Sequence, residues 1–112
     1  MRYAMTFDIS VYDFDGERDE QVISRPGDYI KMKRWVSKAM PKDAEETVTD
    51  LLTNYAALWF TWKREGALGA HGLEDTPEPT VEALEAMADR FSVFVNGVEE
   101  DALPLSGSGR VR

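Results

Sequence analysis

Residues 44–65, AEETVTDLLTNYAALWFTWKRE, decide the fold that this sequence predicts. Large apolar side chains recur there with the period of an amphipathic helix, and they share one broad face. The members of that face are Val48, Leu51, Leu52, Tyr55, Leu58, Trp59 and Trp62. Asp43 precedes the segment as a capping residue, and Gly66 follows it as a typical helix terminator. We therefore predict a long helix over residues 44–65 at the centre of the core.

Residues 3–24 are predicted to form a β-hairpin. Apolar and polar side chains alternate along residues 3–12, which is the period of a half-buried strand. Asp15 and Gly16 both tolerate positive φ and supply a two-residue turn. The resulting register pairs apolar with apolar and acid with base: Ile9 with Val22, and Asp13 with Arg18.

Two further helices are predicted on either side of the central one. The first covers residues 25–40 and has Pro26 in its first turn. The second covers residues 80–95 and begins at a capping Thr80. Its last turn overlaps residues 92–95, SVFV, which favour a strand locally. The predicted fold is mainly α (α+β): an N-terminal β-hairpin followed by a three-helix bundle.

Length and charge predict one acidic domain with a tail. The chain has 112 residues, 21 of them acidic and 13 basic, for a net charge of −8. We expect residues 1–98 to form a single globular domain and residues 99–112 to form a flexible tail that changes from acidic to basic. Acidic residues dominate positions 74–101. This charge disfavours nucleic acid as a partner and favours a protein partner with a basic surface.

The sequence contains no recognisable reactive machinery. It has no cysteine, which excludes thiol chemistry and Cys-ligated metal sites. The lone His71 lies in a Gly-flanked loop and is predicted to be an exposed loop residue. The acidic run 13–20 does not fit a calcium loop, because Gly16 in sixth place would put Val11 and Val22 at ligand positions. We predict that the protein is not an enzyme and that it uses no cofactor and no metal.

Hydropathy predicts a cytoplasmic protein. The longest unbroken apolar run is 55–60, far shorter than the roughly 20 residues that cross a membrane. The first residues carry a charge and lack the apolar core of a secretory signal. Together with the absence of cysteine, these features favour the cytoplasm and exclude a membrane partner.

Two features of the sequence are candidates for protein contacts. Phe60 lies off the centre of the apolar stripe, so it is a contact for a partner or a second copy, unless a wide core or the hairpin covers it. One side of the predicted first helix is basic. Its members are Lys31, Arg34, Lys38 and Lys42. They form either a solvated surface or a docking site for an acidic surface, such as segment 74–101 of the same or another subunit.

The order of several short motifs resembles a known family. The turn at residues 15–17 is followed by RPGDYIK at 25–31, by the aromatic helix end YAALWFTWKREG at 55–66, and by the acidic VEED at 98–101. These pieces resemble the small tail assembly chaperones of long-tailed bacteriophages and prophages. The resemblance covers roughly residues 3–101.

This resemblance implies a role without catalysis. Such proteins coat the tape-measure protein, keep it soluble, promote polymerisation of tail-tube subunits around it, and leave before the virion is complete. They are mainly helical and self-associate. The implied partners are the tape-measure protein, the tail-tube protein and further copies of the chain. Apolar grooves for a client helix would use Phe60, Trp35 and Phe94 at subunit edges.

Two alternatives remain open at this point. One is an acidic inhibitor of phage origin that mimics DNA and blocks a nucleic-acid-binding protein. The other is a structural tail-completion component, which would be retained in mature particles.

Overall fold

The computed structural model describes the backbone of residues 6–99 and the side chains of residues 6–96. The elements in chain order are β1 (Thr6–Asp13), β2 (Arg18–Ser24), α1 (Pro26–Ala39), α2 (Glu46–Glu65), a single 3₁₀ turn (Gly69–His71), α3 (Val81–Arg90) and β3 (Phe91–Glu99). Hairpin positions 3–5 and tail positions 100–112 lie outside the described residues. Within the described range, no helix is both long and apolar enough to cross a membrane.

The predicted hairpin and three-helix bundle is wrong, because the chain folds as an α+β structure. Its three helices pack on a three-stranded antiparallel sheet with the order β2-β1-β3. The error lies in segment 80–95. α3 ends at Arg90, and Phe91 to Glu99 form a strand that pairs with β1. Glu99, expected to open the tail, is the last residue of β3.

Pairing with β1 explains why the chain leaves the helix at Phe91. β1 is the central strand, so its backbone groups need partners on both sides. A strand here also sends Phe91, Val93 and Val95 to the core and leaves Phe94 outside. The apolar residues of this segment fit the spacing of a helix and that of a strand. Pairing with β1, which is distant in sequence, selects the strand.

The hairpin register is confirmed, but the predicted two-residue turn is wrong. Ile9 pairs with Val22, and Asp13 pairs with Arg18. A four-residue loop joins the strands, and the residue with positive φ is Glu17, at 53°. The Asp13 carboxylate accepts from the backbone N–H groups of the loop, and this local bonding sets the wider turn.

The helix ends follow their local signals with small shifts. α2 begins at Glu46 after an N-cap at Glu45, so the expected cap at Asp43 is not used. Gly66 ends α2 with a φ of 69°, as predicted. Thr80 is confirmed as the cap of α3, because its Oγ1 accepts from the N–H of Ala83 at 3.0 Å.

The core is built around the second half of α2. Trp59, Trp62 and Leu58 are each at most 1% exposed, and the inner face of the sheet covers them together with α1 and α3. The earlier members of the predicted stripe are not covered. Val48 is 42% exposed and Leu51 is 50% exposed, since the first turns of α2 extend beyond the core.

A buried ion pair fastens α1 to α2. Asp28 is 1% exposed, and its carboxylate accepts from Arg64 Nε at 2.9 and 3.1 Å. The same carboxylate accepts from the backbone N–H of Arg25 at 2.8 Å, which caps the start of α1. Arg64 also donates from Nη2 to the carbonyl of Ile23 on β2. One carboxylate therefore organises the junction of α1, α2 and β2.

Replacing Asp28 should destabilise the protein strongly. We expect Asp28→Ala to lower the free energy of unfolding by about 2–4 kcal/mol, because it removes the charge-assisted hydrogen bonds to Arg64 and the cap of α1. Lys38→Ala is the matched control. It breaks an ion pair with Glu78 in which both side chains are at least half exposed, so it should cost about 0–1 kcal/mol. Urea denaturation measures both, and equal costs would contradict this account.

Candidate protein-binding groove

A groove of about 230 Å³ lies between α1, the second half of α2 and the connector that leads to α3. Its lining combines three cations, two aromatic rings and two connector residues. They are Lys31, Arg34, Lys63, Trp35, Phe60, Pro77 and Glu78. Lys31 and Arg34 are exposed positions spaced three apart on α1, so both project from one side of the helix. The rim is therefore basic, while the floor is aromatic.

Four of the six predicted interaction residues meet in this groove. Lys31, Arg34, Trp35 and Phe60 line it. Lys38 lies beside it, bonded to the groove residue Glu78. Phe94 lies elsewhere, on the face of β3 that is turned away from the helices, and is 65% exposed.

The two aromatic rings are covered in the chain by itself. Trp35 is 3% exposed and Phe60 is 5% exposed. The Phe60 ring packs edge-on against Trp59, with 5.0 Å between centroids. The position of Phe60 off the stripe centre did not leave it on the surface, because α1 and the connector cover that side of α2. These rings form the floor of the groove, and the cations are what a partner meets first.

The acidic connector already occupies part of the basic surface. Lys38 Nζ lies 2.7 Å from Glu78, and Lys63 Nζ lies 2.6 Å from Asp75. The indole Nε1 of Trp35 donates to the carbonyl of Pro79 at 2.9 Å, and both residues are buried. Among the described residues, Lys38 is the one member of the predicted basic face that pairs with segment 74–101 of the same chain, through Glu78.

Two cations of the groove, Lys31 and Arg34, differ from Lys63 in their pairing. Among the residues described, Lys31 and Arg34 form no ion pair with any carboxylate. An Arg guanidinium above aromatic rings binds carboxylates in a forked geometry and also packs flat against apolar groups. The groove is suited to a segment that offers an apolar side chain next to a carboxylate.

The bond from Trp35 to Pro79 should hold the connector in place. We expect Trp35→Phe to lower the free energy of unfolding by about 1–3 kcal/mol more than Trp62→Phe, because only the first change leaves a buried carbonyl without its donor. The Trp62 Nε1 is a matched control, since it has no hydrogen-bond partner among the described groups. Amide hydrogen exchange across residues 74–79 should accelerate in Trp35→Phe alone. Unchanged exchange there would contradict the proposed anchoring.

His71 is not the exposed loop residue that the sequence indicated. Its ring stacks on Trp62 with 3.7 Å between centroids and 12° between planes, and its side chain is 18% exposed. Nδ1 lies 2.9 Å from the carbonyl of Ala67, and Nε2 lies 3.1 Å from a carboxylate oxygen of Glu20. Sequence reasoning missed this arrangement because the aromatic partner and the carboxylate come from different elements.

Arg90 extends this cluster to the hairpin loop. Its Nη1 donates to the carbonyl of His71 at 2.7 Å, and Nη2 lies 3.5 Å from Asp13. The pKa of Asp13 is lowered from its ordinary value of 3.8, first by the backbone N–H of Gly16, although desolvation opposes this shift. The N–H of Asp15 and the guanidinium of Arg90 also lower it. The cluster binds the hairpin to the end of α3.

The lowered pKa of Asp13 predicts a specific loss of stability in acid. The ionised carboxylate stabilises the fold at pH values above 3.8, and this contribution disappears as the pH falls below 3.8 through the folded-state pKa. Asp13→Asn should therefore reduce the free energy of unfolding by a constant amount at neutral pH. The difference between wild type and variant should shrink below about pH 4. Urea titrations at several pH values measure it, and a difference independent of pH would contradict the assignment.

The described residues contain no group of three or more His, Asp or Glu side chains placed to hold a metal ion. Comparison with family models, curated proteins and solved structures gives no match for this chain. The fold and the groove define a small α+β domain with a basic recess.

Proposed function

We propose that this protein is a tail assembly chaperone of a long-tailed bacteriophage or prophage. In this proposal it binds the tape-measure protein, keeps it soluble and promotes polymerisation of the tail tube around it. The motifs RPGDYIK at 25–31 and YAALWFTWKREG at 55–66 carry the resemblance. The first motif lies in α1 and the second in α2, and these two helices form the groove.

The observation that carries the proposal is that four of the six predicted contacts line one recess. Lys31 and Arg34 come from α1, Phe60 comes from α2, and the recess they share lies open beside the connector. A tape-measure chain is a long amphipathic helix that aggregates when bare. A recess with an aromatic floor and two cations that pair with no described carboxylate can take an apolar side chain of such a helix together with its flanking carboxylates.

The net charge also supports a chaperone. At −8 the protein repels nucleic acid and stays dispersed while it covers an apolar client. We propose that it acts in the cytoplasm of the bacterial host, in many copies along one client, and is absent from the mature virion. No catalytic step, cofactor or metal is part of this role.

The DNA-mimic alternative has less support than the chaperone. A DNA mimic needs unpaired acidic groups spread over one face. Asp75 and Glu78, from the most acidic part of the chain, are instead paired with Lys63 and Lys38. The tail-completion alternative differs in fate, because such a component stays in the particle.

Charge reversal in the groove should impair the chaperone. When this protein is expressed with the tape-measure protein of the same phage, we expect the soluble fraction of the client to rise severalfold. Arg34→Glu should remove most of that gain, because it places a repulsive charge beside the client carboxylates. Lys33→Glu is the matched control, since it makes the same charge change at the adjacent exposed position, which does not line the groove.

The outcomes of this experiment separate function from location. A client that is equally soluble without this protein would rule out the chaperone. Equal effects of Arg34→Glu and Lys33→Glu would be compatible with the chaperone function but would show that the client does not bind in the groove. Added salt should weaken the complex, because the contacts are electrostatic. Detection of the chain in purified virions would favour a tail-completion component.

A further inference from the structure

The two edges of the sheet differ in how they are protected. β2 is charged at Arg18, Asp19 and Glu20, and Arg64 donates to the carbonyl of Ile23. Charged residues and capped carbonyls are the usual means of preventing edge-to-edge pairing. The β2 edge is therefore protected.

The first six residues of β3 have none of this protection. Residues 91–96, FSVFVN, contain no charge and no proline, and every residue up to Val95 except Ser92 is apolar. Among residues 6–99, β1 is the only strand beside β3. Such a window on an edge strand is a template for another strand.

Hydrogen bonds at the start of β3 fix which residues face outward. The N–H of Phe91 donates to Met87, and its carbonyl accepts from the Tyr55 hydroxyl at 2.6 Å, so neither group is directed at β1. The carbonyl of Arg90 instead accepts from Phe14 on the hairpin side. Backbone direction alternates along an antiparallel strand. Ser92 and Phe94 therefore bond to β1.

The same alternation leaves Val93 and Val95 with their N–H and C=O groups on the open edge. Their side chains point into the core and are half-buried, so another strand could contact these two residues only through their backbone groups. Phe94, between them, projects from the outer face of the sheet and is the most exposed large apolar residue described, at 65%.

We propose that β3 pairs antiparallel with β3 of a second copy of this chain, with the two-fold axis passing through Phe94. In this register Val93 bonds in both directions to Val95 of the other copy, and Val95 bonds to its Val93. The two Phe94 side chains become a directly opposed pair on the outer face. The result is a continuous six-stranded sheet.

Charge and symmetry favour a second copy as the occupant. The molecule is strongly acidic overall and two copies repel one another, but residues 91–96 are uncharged, so this segment is where two copies can meet with least repulsion. The hydrogen-bonding pattern is self-complementary about Phe94, as a two-fold interface requires. Because the β2 edge is protected, assembly through β3 closes at the dimer. This proposal does not rest on the chaperone assignment.

A single introduced cysteine tests the register, because the native chain has none. Opposed residues in a non-hydrogen-bonded antiparallel pair have Cα atoms about 4.5 Å apart, within the range for a disulfide. Under mild oxidation, Phe94→Cys should form an interchain disulfide at least about tenfold faster than Ile23→Cys. Ile23 is the matched control, since it is 51% exposed on the other edge strand. Equal rates at the two positions would overturn the proposal.

Charge substitutions at the same position test association without a covalent bond. Sedimentation equilibrium of the full chain should show a monomer–dimer equilibrium with a Kd of micromolar order, as is usual for a small interface. Phe94→Lys and Phe94→Glu should each be monomeric, and an equal mixture of the two should dimerise. Ile23→Lys should associate as the wild type does.

Folding controls and two further results decide whether the dimer forms through Phe94. Circular dichroism and thermal unfolding verify that the variants fold, and Phe94→Cys supplies an independent readout if a charged variant does not. A wild-type chain that stays monomeric at millimolar concentration would show that the edge is covered within the molecule, which overturns the proposal. Dimers of Phe94→Lys alone, or failure of the mixed variants to associate, would exclude an axis at Phe94.

Discussion

The whole fold depends on the need to cover eight consecutive residues of α2, from Tyr55 to Trp62, on every side of the helix. An amphipathic helix needs one apolar cover, but a helix that is buried all round needs several. α1 covers one side, α3 covers another, and the inner faces of β2 and β3 complete the enclosure. The connector then fills the gap beside Phe60 through the bond between Trp35 and Pro79. The groove is a consequence of this enclosure, since it forms where α1 and the connector meet incompletely over the α2 aromatics.

The features that were predictable from the sequence are those with local causes. The pairing of Ile9 with Val22 follows from alternation and one short loop, and the helix ends at Gly66 and Thr80 follow from the conformations those residues prefer. β3 was not predictable in this way. The apolar residues from Leu84 to Val95 have helical spacing throughout, and those after Phe91 also alternate as in a strand. Whether this end forms a helix or a strand depends on the unpaired edge of β1, which is remote in sequence.

The candidate site was predictable in its chemistry but less so in its geometry. The spacing of Lys31, Arg34 and Lys38 places all three on one side of a helix, and that inference survives the change of fold class. The burial of Phe60 was not predictable, because the covering group is a connector without regular structure. The stacking of His71 on Trp62 was hidden for the same reason: it depends on where a Gly-rich loop crosses a helix that lies earlier in the chain.

The groove and the β3 edge use different elements, and this separation has consequences for a chaperone. Among the described residues, none that lines the groove belongs to β3, so pairing through β3 uses a different surface from the groove. A dimer would then present two basic grooves in a fixed relation to one long client. Linked sites of this kind raise overall affinity by about 10²–10⁴-fold over a single weak site when the spacing matches, without any new contact. In the proposed chaperone role, weak binding at each groove would be an advantage, since each contact could then release separately from the client.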